Sequence, residues 1–127
     1  MTNLPDGTTG DAAVAAVAAT YFDAWRAKDF DRLRTVLADD VRFVGPMATA
    51  DGADECLAGL RGLGQIITDI VVDHVFVDGP DVVTWFALHT TEAPPLTVAN
   101  RSRVEDGRIV AIRVLFDPRP LLPPDAG

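Results

Sequence analysis

The chain has 127 residues, 48% of them hydrophobic, and a formal net charge of −8. That length suits one domain with a single sizeable core, and that hydrophobic share excludes a disordered chain. The acidic balance argues against nucleic acid or an anionic membrane as partner, and no apolar run reaches the 18 residues of a membrane helix. The first ten residues, with Pro5, Asp6-Gly7 and two threonines, read as a flexible N-terminal arm without signal-peptide character. Thr9 or Asp11 is placed to cap a first helix, whose apolar positions Val14, Val17, Tyr21 and Trp25 recur at the helical period. Asp29 is placed to cap a second helix with the stripe Phe30, Leu33, Val36 and Leu37. Residues 41–44 alternate as a strand that Gly45-Pro46 ends.

A short third helix is expected over residues 51–63, opened by acids that suit a helix N-terminus and weakened by its glycines. Residues 66–77 are β-branched and strand-like, closed by Asp78-Gly79-Pro80, and residues 82–91 form the next strand. Pro94-Pro95 marks a turn, residues 96–104 alternate as its returning partner, and Asp106-Gly107 is a strong hairpin signal before a last strand over 108–116. Pro118, Pro120, Pro123 and Pro124 close the fold. The domain is therefore expected over residues 11–121, with residues 122–127 as a C-terminal tail. Helices followed by hairpin-linked strands predict an α+β protein with a curved antiparallel sheet and helices on one face. A single cysteine, Cys56, cannot form an internal disulfide, which favours a reducing cytoplasm. His74 and His89 have no cysteine or carboxylate at ligand spacing, so no metal site is expected, and nothing in the chain calls for a cofactor.

Residues 21–46, with the Tyr21/Trp25 pair, the break at Lys28-Asp29, Asp39-Asp40 and the strand running into Gly45-Pro46, resemble the opening of the nuclear transport factor 2-like (NTF2-like) superfamily. That group includes ketosteroid isomerases, SnoaL-type polyketide cyclases and limonene epoxide hydrolases. The resemblance implies a cone-shaped sheet wrapped around the long N-terminal helix, a cystatin-like roll with two or three helices on its concave face and a deep apolar pocket. In the isomerases a tyrosine at the position of Tyr21 donates a hydrogen bond to the substrate oxygen. Their base, an aspartate immediately before the proline, is Gly45 here. Their second donor falls on Asn100 when counted back from Asp106-Gly107. The acid that SnoaL-type cyclases carry on the last strand is absent, and no buried Asp-Arg-Asp set of the epoxide hydrolase kind is found; Arg101 and Asp117 are its nearest candidates.

Alternation along the strands extends the inference. It turns Val98, Asn100, Ser102 and Val104 inward and Arg101 and Arg103 outward. If the loop through Pro94-Pro95 holds an even number of residues, Trp85, Ala87 and His89 also face inward, and His89 becomes the acid or base of the site. The expected catalytic set is Tyr21, His89 and Asn100, within a binding wall of Val17, Trp25, Phe43, Met47, Leu60, Trp85, Val98, Ser102, Ile112, Val114 and Phe116. The implied function is isomerase, cyclase or hydrolase chemistry on a polyketide- or steroid-like substrate. The alternatives are a binding module for an apolar ligand and an assembly domain. The outward residues Thr84, Phe86, Leu88, Thr97, Ala99 and Leu115 are apolar enough to predict a homodimer through the outer sheet face.

Overall fold

The computed structural model describes residues 3–122 of the chain, with side chains from residue 11. Helix α1 spans Asn3–Ala27, α2 Phe30–Thr35 and α3 Ala53–Gly64. The strands are β1 (Leu37–Val44), β2 (Thr49–Asp51), β3 (Ile67–Asp78), β4 (Asp81–Thr90), β5 (Leu96–Glu105) and β6 (Arg108–Leu115). A 3-10 turn over Arg119–Leu121 follows. Pro123 and Pro124 lie outside the described residues.

Helix α1 begins earlier than its expected caps, so Thr9 and Asp11 sit inside it. Pro5 falls in the first turn, where a missing N–H breaks no intrahelical bond. Asp29 does cap α2: its carboxylate accepts from the Arg32 backbone N–H at 3.1 Å. Helix α2 is only six residues long, and Leu37, expected on its stripe, already belongs to β1.

The six strands form one curved sheet in the order β2-β1-β6-β5-β4-β3. All neighbours are antiparallel except β1 and β6, which run parallel where the last strand comes to lie beside the first long one. The β5–β6 hairpin closes at Asp106-Gly107, where φ is 53° and 76°. Two successive positive φ values are the twist-matched two-residue turn that this dipeptide favours. A bulge between Arg103 and Val104 then brings Ile109, Ile112 and Val114 to the buried face.

The core lies between that inner face and the helices. Phe22 of α1 packs on Phe86 of β4 with ring centroids 5.0 Å apart, and meets Tyr21 edge to face at 4.9 Å. Trp25 donates its indole N–H to the Leu60 carbonyl at 2.9 Å, a buried bond that ties α1 to α3. Arg26 reaches the Ile70 carbonyl from the outer side of α1 at 3.2 Å.

The phase of β4 differs from expectation. Val82, Thr84, Phe86 and Leu88 are buried, whereas Trp85 is 43% exposed and His89 is half-buried. Asp78 pairs with Asp81 across a two-residue turn, and Leu88 pairs with Leu96 across the next connection. Residues 89–95 between that second pair are odd in number, and an odd connection reverses the inferred parity. The outward assignment of Thr84, Phe86 and Leu88 is corrected with it. On β5 and β6, Thr97 and Leu115 are exposed and Ala99 is half-buried, as the alternation predicts.

Candidate ligand cavity

A cavity of about 250 Å³ opens between α1, α3 and the inner face of the sheet. Helix α1 contributes Tyr21 and Trp25, one turn apart on its sheetward face. Helix α3 contributes Cys56, Leu60 and Leu63, again at helical spacing. The sheet contributes Phe86, Leu88, Val98, Asn100 and Val114, with Phe116 just beyond β6. The mouth lies at the β1–β2 connection, where Pro46, Met47, Ala48 and Thr49 line the cavity and are themselves exposed.

The cavity thus unites Tyr21 and Asn100 with Trp25, Phe43, Met47, Leu60, Val98, Val114 and Phe116 of the expected wall. It does not include His89 or Trp85, which the β4 phase turns away. Nor do Val17, Ser102 and Ile112 line it: Val17 packs against the core, Ile112 is buried within it, and Ser102 lies behind Asn100. Phe86 and Leu88 were missed through the same parity. Cys56, Leu63 and Glu55 were missed because a helix face gives spacing without direction. Gly45 lines the cavity, as the resemblance implies for the base position.

Tyr21 is 1% and Asn100 2% exposed. Burial pushes the Tyr21 phenol well above its usual range, nearby Cys56 adds to the rise, and a hydrogen bond from Asn100 works against it. The phenol is therefore neutral and a donor near pH 7. The Asn100 oxygen accepts from the Ser102 hydroxyl at 2.9 Å. Glu55, at the rim, is exposed, and its Oε1 accepts from the Asp51 backbone N–H at 3.0 Å. It is the one carboxylate on the cavity wall among the described residues. No group of three or more potential metal ligands occurs among the described residues, and no helix of theirs is long and apolar enough to cross a membrane.

Burial pushes the Cys56 thiol up to about 11. In the unfolded chain a thiol ionises near 8.5 (roughly), so above that pH the unfolded state has lost a proton that the folded state keeps. Stability present below pH ~8.5 should therefore decline as pH rises through about 11, by about 3 kcal/mol at full titration. Urea midpoints measured from pH 8 upward should fall less steeply for Cys56→Ala than for the wild type; parallel curves would contradict the buried thiol.

The model of the SnoaL-like domain matches residues 18–112, well over half of the chain. The chain belongs to the SnoaL-like family. Its fold is that of the NTF2-like superfamily, as solved structures show. An NTF2-like protein from Cytophaga hutchinsonii superposes with a TM-score of 0.78 at 22% identity, covering 85% of this chain and 93% of that one. A SnoaL-like polyketide cyclase, so proposed, from Jannaschia sp. CCS1 gives 0.78 at 18% identity over 88% and 90%. An LEH-like epoxide hydrolase from M. tuberculosis gives 0.74 at 22% identity over 84% of each chain. At these identities the likeness is one of fold. No curated protein sequence matches the chain. Within this SnoaL-like domain the helices and the inner sheet face supply an apolar wall, and its polar groups converge at Tyr21 and Asn100.

Proposed function

We propose that this SnoaL-like domain binds a compact, largely apolar small molecule whose oxygen is held by Tyr21 and Asn100. The observation that carries this reading is an apolar cavity with the buried polar side chains Tyr21 and Asn100 on its wall and, among the described residues, no group on its inner wall ready to take a proton. Gly45 stands where the isomerases have their base, and Tyr21 and Cys56 are held protonated by burial. A volume of about 250 Å³ falls below the ~300–1,000 Å³ usual for drug-sized ligands. One or two fused rings suit it better than the four of a steroid.

Calorimetric titration with 1-tetralone, a compact two-ring ketone, tests the reading. Tyr21→Phe should weaken binding about 3- to 10-fold, the net worth of one hydrogen bond. Unchanged affinity with an unchanged melting temperature would sink it.

A second reading keeps the isomerase, cyclase or hydrolase chemistry of the family and rests on Glu55. As the wall's one carboxylate it replaces His89 as the candidate base, with Tyr21 and Asn100 polarising the substrate. Turnover by the wild type that survives Glu55→Gln undiminished would eliminate this reading.

We also propose that two copies meet through the outer sheet face. His74, Trp85, Ala99 and Leu115 pair in one row across four strands, and Trp85 and Leu115 are 43% and 64% exposed. Exposed indole and leucyl side chains in one row favour a partner over water. Sedimentation should give a dimer for the wild type and a monomer for the Trp85→Glu/Leu115→Glu double variant; a monomeric wild type would refute it.

A further inference from the structure

Asn100 and Ser102 stand two residues apart on β5, so both side chains point inward, with Ser102 1% exposed. The Ser102 Oγ lies 2.9 Å from the Asn100 Oδ1. Two oxygens at that distance need a proton between them, and the serine supplies it. Turning the amide over would set its NH₂ against Oγ and leave the serine proton to seek another acceptor. The side chains paired across the strands from Ser102, Val82 and Ile112, offer none. A buried donor without an acceptor is costly, so this orientation of the amide is the favoured one. With the oxygen occupied, the NH₂ edge is the part of the amide left for the cavity that Asn100 shares with Tyr21.

We propose that Ser102 is a positioning residue that sets the polarity of the cavity. It holds Asn100 so that the site presents two donors, the amide NH₂ and the Tyr21 hydroxyl, while the amide oxygen is already engaged. Such a site favours an uncharged ligand with a carbonyl oxygen, which accepts both hydrogen bonds, over the corresponding alcohol, which brings a proton of its own that the engaged amide oxygen does not accept. This deepens the ligand-binding reading and rests on it.

The test compares 1-tetralone with 1-tetralol, which share a carbon skeleton and differ in the oxygen. By calorimetry the wild type should prefer the ketone by about tenfold. Ser102→Ala frees the amide to turn, and the preference should shrink to within about threefold. Ser102→Thr keeps the hydroxyl and should restore it. The infrared carbonyl stretch of bound 1-tetralone should lie at lower frequency in the wild type and Ser102→Thr than in Ser102→Ala, a readout that loss of stability alone would not move. An unchanged ketone preference and an unchanged carbonyl stretch in folded Ser102→Ala would overturn the proposal. So would a wild type that favours the alcohol or binds neither compound. If Tyr21→Phe weakens ketone binding while Ser102→Ala alters nothing, only the role of Ser102 falls. If neither substitution matters, the donor-pair reading falls with it.

Discussion

Gly45→Asp is expected to give this domain an isomerase activity. Gly45 lines the same cavity as Tyr21 and Asn100, at the position where the resembling isomerases carry their base. Its φ is not in the left-handed region, and an added Cβ would meet the Phe43 ring edge at 3.2 Å, so that ring need move only a few tenths of an ångström. The new carboxylate could take a proton from the carbon between the carbonyl and the alkene of cyclohex-3-en-1-one. Tyr21 and Asn100 would hold the dienolate oxygen, and the proton would return to the far alkene carbon. A positioned general base contributes about 10²- to 10⁴-fold, so formation of the conjugated enone, followed by absorbance, should exceed the wild-type rate by at least about 10². Adding Tyr21→Phe should remove on the order of 10² of that gain. A folded Gly45→Asp variant no faster than the wild type would show that the donors do not address the reacting end of the cavity.

Trp25→Ala should be among the most damaging single changes to stability. The side chain is 5% exposed, packs against Tyr21 with centroids 6.0 Å apart, and bonds to the Leu60 carbonyl across the α1–α3 junction. Truncation removes the packing, leaves a void and orphans a carbonyl. Such changes cost about 3–5 kcal/mol, a large share of the roughly 5–15 kcal/mol that holds a domain together. Urea denaturation should show the loss as a lower midpoint. Trp25→Phe should lose less, keeping most of the apolar contact but not the indole bond. A loss below about 1 kcal/mol for Trp25→Ala would mean that α1 and α3 are held by other contacts.

Some features of the site were legible in the chain because they depend on local chemistry. The 3,4,4 spacing of Val14, Val17, Tyr21 and Trp25 puts Tyr21 and Trp25 on one helical face whatever the rest of the fold does. Asp106-Gly107 dictates its own turn through two positive φ values, and counting back from it orients β5, which places Asn100 inward and Arg101 outward. Asp29 caps α2 through a bond to its own neighbourhood.

Other features depend on contacts between distant segments. The phase of β4 rests on how many residues bridge Leu88 and Leu96, and the Pro94-Pro95 signal marks a turn without counting its length. One residue of slip moves His89 away from the cavity and brings Phe86 to Phe22. The parallel pairing of β1 with β6 and the approach of Cys56 to Tyr21 likewise join segments far apart in the chain. Sequence alone thus determined the elements, the family resemblance and the Tyr21–Asn100 pair, because periodicity and turn chemistry act over a few residues. Tertiary structure decided which face of β4 looks inward, and with it that the cavity wall holds Phe86 and Leu88 where the sequence suggested a histidine base. Strand phase is set by long-range packing, which no short window of residues contains.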